Sequence, residues 1–264
     1  MTVDTMHSHR EVELLDAVRR LGGFAKNTQL SSVLGVSEET IRRSIKSLSK
    51  SGAVARVHGG VFLVGTQSDP SFFRRIAENP EEKRFVAHEL SQSIHDGMTL
   101  FLDVGSTTAF VAEELRLKSN LSIVTNSTRV AQSLVGHNNC RVFLLGGEMQ
   151  PDELGAFGNV CERQARRYCF DVAVLSADAL NTKSGFLYLN PAEASLASVV
   201  SECAEIKYVA MTHHKFETKA PHLGFSPSIV STLFVDKKPR SKLSSALNGW
   251  GVKVQLAKKR DAQC

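Results

Sequence analysis

Apolar residues recur along this chain with two different periods, and the change from one to the other divides it. In residues 11–21, EVELLDAVRRL, Val12, Leu15, Val18 and Leu21 fall on or near one helical stripe, which Gly22-Gly23 ends. A second short helix fits 27–34, with Asn27 or Thr28 as its cap and Leu30, Val33 and Leu34 facing inward. Gly35-Val36-Ser37 then turns the chain: the glycine supplies permissive backbone and Ser37 caps the next helix. Glu38 and Glu39 follow in its first turn, where the helix dipole favours acids. Across 38–50, Ile41, Ile45 and Leu48 make a buried stripe, while Arg42, Arg43, Lys46, Ser49 and Lys50 occupy the other faces. After Gly52, the run AVARVHGGVFLV reads as two β-prone stretches around His58-Gly59-Gly60, a two-stranded wing.

From Glu82 onward the pattern becomes an alternation of helical and β-like segments. Strands are expected at 98–104, 121–126, 141–147, 170–177, 205–211, 231–236 and 251–257. Helices are expected at 82–94, from about 107 to 117, at 128–135, near 159–168 and near 192–203. Apolar strands separated by helices indicate a mainly parallel sheet covered on both faces. The fold class is therefore α/β: an N-terminal winged helix-turn-helix at 7–64, a linker at 65–80 and a larger sheet domain at 81–264. The linker, GTQSDPSFFRRIAENP, is rich in turn formers and carries Pro70 and Pro80. Phe72 and Phe73 are too apolar for a free linker, so this segment is expected to pack onto something.

Charge sharpens the picture of the first domain. Of the net +5, residues 1–75 contribute +4, from 11 Lys and Arg against 7 Asp and Glu. Between Thr40 and Phe62 there are five basic residues and no acid. A short basic helix behind a glycine turn suits the major groove of a polyanionic duplex. Ser37, Glu38, Thr40, Arg42, Arg43 and Lys46 are candidates for the DNA face, with Arg56 and His58 on the wing for backbone or minor groove. The competing reading is a solvated helix and hairpin used for protein contacts.

Composition excludes several classes. No apolar run approaches the roughly 20 residues of a membrane span, and MTVDTMHSHR lacks the apolar core of a signal peptide. A cytoplasmic protein is expected. The five cysteines (Cys140, Cys161, Cys169, Cys203 and Cys264) are widely spaced with no CxxC pair, against both a disulfide framework and structural zinc. Most are expected to be buried thiols.

In sheets of this class ligands bind beyond the C-terminal strand ends. Four such corners carry polar or glycine-rich residues. Asp103-Val104-Gly105-Ser106-Thr107-Thr108 leads straight into a helix, a recipe for holding phosphate or carboxylate that also serves as a plain N-cap. Thr125-Asn126 forms the second corner and Gly146-Gly147 the third, where packing is as good an explanation as ligand contact. Lys215, after Met211-Thr212-His213-His214, is placed to neutralise an anion.

The run ETIRRSIKSLSKSGAVARVHGGV, residues 39–61, resembles the signature of the DeoR family of bacterial transcription regulators. That resemblance implies a winged head joined to a sugar-phosphate-responsive domain related in fold to ribose-5-phosphate isomerase and the acyl-coenzyme A transferases. It implies that Asp103, Gly105 to Thr108, Thr125 with Asn126, Gly146 with Gly147, and Lys215 line an effector pocket. The chain departs from the family pattern at Ser44, where an acid is usual. It departs again at Thr212-His213-His214, which lacks the usual acid ahead of the lysine, and in EASLASVV after Glu193, which lacks a basic residue. The function expected is control of a carbohydrate or polyol operon, through operator binding modulated by a phosphorylated metabolite. A dimer or tetramer is expected, and no cofactor, metal or membrane partner.

Two readings compete from outside that class, and one within it. An isomerase-like enzyme would use Asp103, Glu193 and Lys215 for proton transfer, but it gives the DNA-binding head no purpose. A metal sensor through His213 and His214 is disfavoured, because adjacent residues on an extended segment point to opposite faces. Within the class, the second domain would serve mainly for oligomerisation.

Overall fold

The computed structural model describes residues 8–21, 24–57, 60–63 and 72–258. The chain divides into two compact units, one ending at Glu78 and the other starting at Asn79.

The first unit runs α1 (His9–Arg20), β1 (Phe24–Lys26), α2 (Asn27–Leu34), α3 (Glu38–Lys50), β2 (Val54–Val57), β3 (Gly60–Leu63) and α4 (Phe72–Ala77). Its core is a single cluster in which Leu14, Leu15 and Val18 of α1 meet Leu30, Ile41, Ile45 and Leu48, with Val54 and Val61 from the hairpin. The buried stripe of α1 thus runs through Leu14, Leu15, Ala17 and Val18, and Val12, expected inside, is 45% exposed. Val33 is likewise 57% exposed, because α2 is only two turns long and Leu30 already fills its inward position. Neither Asn27 nor Thr28 caps α2. Lys26 holds the cap position without a side-chain bond, since β1 runs directly into the helix and Lys26 is paired to Gly60. Strand β1 was not legible in the sequence: three residues become a strand here only because β3 offers an open edge, giving the order β1-β3-β2.

Within the stretch read as a linker, Phe72–Ala77 is helical and Phe72 is 1% exposed. Pro80 opens the next helix at its first turn, where its missing N–H costs nothing.

The second unit begins with α5 (Pro80–Ser91), β4 (Thr99–Leu102), α6 (Ser106–Leu115), β5 (Ser122–Thr125), α7 (Thr128–Leu134) and β6 (Arg141–Leu144). A hairpin of β7 (Glu148–Gln150) and β8 (Gly155–Phe157) leads to α8 (Asn159–Ala165) and β9 (Phe170–Leu175). Next come β10 (Ala179–Asn181), β11 (Gly185–Tyr188), α9 (Pro191–Cys203), β12 (Ala204–Ala210) and β13 (His222–Leu223). The unit closes with β14 (Thr232–Val235), α10 (Ser241–Gly249) and β15 (Lys253–Leu256). Seven strands form one parallel sheet in the order β15-β14-β12-β9-β4-β5-β6.

Both faces of that sheet are covered, as its apolar strands require. Leu100 and Leu102 of β4 join Val86, Leu90, Val111, Leu115, Val130 and Leu134, so α5, α6 and α7 cover one face. Phe101 points the other way, into a cluster with Cys161, Ala165, Leu196, Val200, Leu243 and Leu247 of α8, α9 and α10. Alternation along one strand therefore feeds two separate cores. The short hairpins and the nine-residue α10 were not anticipated; the hairpin strands, of two to four residues each, are too brief for a periodic signal. The expectation of mostly buried thiols was wrong. Of the described cysteines only Cys161 is buried, while Cys140 and Cys203 are half-buried and Cys169 is exposed. These last three lie at strand or helix ends, where chain reversals leave side chains uncovered. Cys264 lies outside the described residues.

Candidate functional site

On the first unit, Ser37 accepts a hydrogen bond from the Thr40 N–H at 3.3 Å, and the two hydroxyls lie 2.9 Å apart. The cap fixes where α3 starts, and hence which residues fall on its outer face. Arg42, Arg43, Lys46 and Arg56 are exposed, Ser37 is exposed, and Glu38 and Thr40 are half-buried. His58 lies outside the described residues. One feature was missed: Arg42 sits 3.4 Å from Glu38 and 3.7 Å from Glu39, and Arg43 sits 3.6 Å from Glu39. The acids one turn back neutralise the arginines in the free protein. Exposed pairs of this kind are worth only a few tenths of a kcal/mol, so they hold the arginines weakly.

On the second unit, chain order along the sheet reverses between β4 and β9: β5 and β6 extend to one side, β12, β14 and β15 to the other. The helices that follow leave on opposite faces there, and in sheets of this class that switch point is where ligands bind. Asp103 and Ser176 stand on its two sides. The Ser176 N–H and hydroxyl both donate to Asp103 Oδ2 at 3.2 Å, and the hydroxyl also lies 3.0 Å from the Val104 carbonyl. Asp103 is 2% exposed. Burial raises its carboxyl from 3.8 to about 7, against the lowering by the Ser176 and Val104 hydrogen bonds, with the nearby Asp178 adding to the rise.

Gly105 holds φ 157° and ψ 156°, and a Cβ there would lie 3.0 Å from the Ser176 hydroxyl. Only glycine lets β4 turn into α6 this close to β9. Ser106, Thr107 and Thr108 form the first turn of α6 and are all buried, with the Thr108 hydroxyl donating to the Gly105 carbonyl at 2.9 Å. Thr125 donates to the Leu102 carbonyl at 2.6 Å and accepts from the Ser127 N–H. Asn126 accepts from the Val104 N–H at 3.0 Å and donates to the Ala156 carbonyl at 3.3 Å, tying the first two corners to β8.

Gly146 and Gly147 do something different. The Gly146 N–H donates to Gln164 Oε1 at 2.7 Å, and a Cβ on Gly147, at φ 150°, would lie 2.4 Å from the Phe157 carbonyl oxygen. Close packing against Phe157 thus accounts for the glycine at 147. Gly147→Ala is expected to destabilise the second unit by roughly 1–3 kcal/mol through backbone strain, with the clash adding to it. A clear fall in the melting temperature of the purified variant tests this; an unchanged one would mean the β7–β8 hairpin shifts freely.

Lys215 reaches the crevice from beyond β12. Its Nζ donates to the Ala177 carbonyl at 2.5 Å and lies 3.6 Å from Asp178 Oδ1. Sequence reasoning missed the corner that holds it, Ser176-Ala177-Asp178 after β9, although a polar strand end was the same signal that found the others. Tyr188, donating to the Ser176 carbonyl at 2.6 Å, was missed as well. Residues 213–215 form a 3-10 turn, not an extended segment, and the His213 and His214 ring centroids lie 4.0 Å apart with the rings tilted by 38°. Among the described residues no group of three or more His, Cys, Asp or Glu side chains is arranged to hold a metal, and no helix is long and apolar enough to cross a membrane.

Comparison with known proteins agrees with this architecture over most of the chain. The DeoR-like helix-turn-helix domain matches residues 10–67, and the DeoR C terminal sensor domain matches 78–237. The chain belongs to the DeoR family. Among relatives, the HTH-type transcriptional repressor CsqR of Escherichia coli is 28% identical over 248 residues, 94% of this chain and 94% of that protein. The glycerol-3-phosphate regulon repressor of the same species is 27% identical over 234 residues, 89% of this chain and 93% of that one. Among solved structures, ribose 5 phosphate isomerase A from Neisseria gonorrhoeae overlaps 52% of this chain and 53% of its own, at 16% identity and a TM-score of 0.38. At that score the overlap adds nothing to the sheet topology itself.

As a DeoR-family regulator, a DNA-binding protein with a sensor domain, the chain meets its departures from the family pattern locally. Ser44 is half-buried on α3. His213 turns to Asp236, which accepts from its backbone N–H at 2.7 Å and faces its Nδ1 at 2.5 Å. Helix α9, without the usual basic residue, instead presents Ser195, whose hydroxyl donates to Glu162 Oε1 at 2.6 Å.

Proposed function

We propose that this DeoR-family chain represses a carbohydrate or polyol catabolic operon, and that a phosphorylated sugar or polyol bound in the β4–β9 crevice changes its affinity for the operator. The observation that carries the reading is the convergence, at one topological switch point, of Asp103, the hydroxyl-rich start of α6 and the Lys215 ammonium. Three groups there suit a phosphorylated polyol: hydroxyls that donate, a helix N-terminus that favours anions, and a cation. The candidate DNA face is Ser37, Glu38, Thr40, Arg42, Arg43 and Lys46, with Arg56 and His58 on the wing. A helix-turn-helix head reads one half-site, so the working form is a dimer or tetramer. Effector acts by binding one arrangement of the two heads better than the other.

A thermal-shift screen of the full chain tests the reading. It compares sugar, polyol and sugar-acid phosphates with their unphosphorylated partners and with inorganic phosphate. A ligand at a hundred times its Kd stabilises by about 2.7 kcal/mol, a rise of several degrees for a domain of this size. Lys215→Ala is expected to lose that rise while still binding operator. If the variant responds like the parent, Lys215 does not hold the ligand. A second reading has a specific observation behind it: Asp103, Asn126 and Lys215 all have internal hydrogen-bond partners. A domain serving mainly to assemble the oligomer would give no shift with any compound.

A further inference from the structure

Away from the crevice, at the opposite ends of the strands, two cysteines begin adjacent strands of the parallel sheet. Strands β9 and β12 pair with Phe170 opposite Ala204. Cys169 immediately precedes the first of these and Cys203 immediately precedes the second. Paired residues in neighbouring strands lie about 4.8 Å apart; the two cysteines stand one residue outside the first such pair, which sets them near the 4.4–6.8 Å range of Cα separations that a disulfide spans. Both thiols are free; Cys169 is exposed, and Cys203, at the end of α9, is half-buried against the core that α9 covers. They are close enough to interact electrostatically. Burial is the main reason the Cys203 thiol sits above its ordinary value; Arg166 lowers it, and Glu202 and Cys169 raise it further. Arg166, 2.8 Å from Glu202, ties α8 to α9 beside the pair.

We propose that Cys169 and Cys203 form an intrachain redox site, in which hydrogen peroxide oxidises the exposed Cys169 and Cys203 closes the disulfide across the starts of β9 and β12. In the first step the Cys169 thiolate attacks a peroxide oxygen. An S–O bond forms, the O–O bond breaks, and the leaving hydroxide takes a proton to become water. In the second, Cys203 sulfur attacks the sulfenic sulfur of Cys169. The S–S bond forms, the S–O bond breaks, and the Cys203 proton leaves with the hydroxide as a second water. Two thiols are oxidised and one peroxide is reduced to two waters. The division of labour follows from position: Cys169 meets solvent first, and Cys203, half-buried at the end of α9, acts as the resolving thiol.

The test treats the full chain with hydrogen peroxide and measures its intact mass and its peptides without reduction. The expected result is the loss of two hydrogens from a monomeric chain, a peptide joining Cys169 to Cys203, and full reversal by dithiothreitol. Cys169→Ser and, separately, Cys203→Ala should each abolish the joined peptide, and Cys203→Ala should leave oxygen adducts on Cys169. Oxygen adducts on Cys169 in the parent chain with no joined peptide would overturn the proposal. So would a cross-link confined to pairs of chains. Cys140→Ser, at a distant strand start, should change neither outcome.

Discussion

Replacing Arg42 and Arg43 together by alanine is expected to weaken operator binding by roughly a hundredfold or more at physiological salt. An arginine that reads a base edge is worth about 1–3 kcal/mol, and one that neutralises a phosphate carries about 0.9 of the slope of log K against log salt. Both side chains are exposed, so the core beneath them (Ile41, Ile45 and Leu48) is untouched and the helix should remain. Loss of the pair also leaves Glu38 and Glu39 without their partners, so the face turns from basic to acidic where DNA would approach. Titrating a labelled operator at several salt concentrations separates the two roles. A flatter salt dependence with specificity kept assigns the arginines to phosphates, and relaxed specificity assigns them to bases. Unchanged affinity at every salt would remove α3 as the reading helix.

Asp103→Asn is expected to raise the stability of the second unit at pH 8 by up to about 4 kcal/mol, and by progressively less as pH falls toward 4. The carboxyl titrates near 3.8 when unfolded and near 7 in the fold, where burial is the dominant cause. Between those values the native state holds a proton that the unfolded state has released. Native stability therefore falls as pH rises through that window, and above about 7 the full penalty of a buried carboxylate is present. Asparagine keeps an acceptor for the two Ser176 donors and carries no charge. The size of the gain follows from the gap between the two values at about 1.4 kcal/mol each. Melting curves of parent and variant across pH 4 to 8 measure it. A difference that does not vary with pH would mean that Asp103 acts by shape and hydrogen bonding alone. The same ionisation bears on the proposed ligand, since an anion beside Asp103 binds best when that carboxyl is neutral; its affinity is expected to fall as pH rises through about 7.

The long periodic elements were legible from residues alone. Helix α3, with Ile41, Ile45 and Leu48 at spacings of four and three and Ser37 ahead of it, stands where its pattern put it. So do the strands whose runs of apolar residues are buried on both faces, such as Phe170–Leu175. The four polar corners do lie at the ends of strands β4, β5, β6 and β12, because each closes an apolar run that was legible as a strand.

What was not legible depended on partners distant in sequence. Strand β1 exists because β3 is there to pair with it, and the inward face of α1 was decided by contacts with α2, α3 and β3 that no spacing within the helix reveals. The Ser176 corner was overlooked because its importance comes from Asp103, 73 residues earlier, across the point where strand order reverses. For Gly147 the residues alone left packing and ligand contact equally open, and only the fold shows the Phe157 carbonyl lying against it. The chain's own pattern of apolar and charged residues determined its two-part design and its basic α3, since those follow from local periodicity and sign of charge, while the motif at 39–61 carried the family resemblance. Which polar groups are buried together and which cysteines are neighbours were decided only by the tertiary structure, because burial and contact between strands belong to pairs of segments and not to either segment alone.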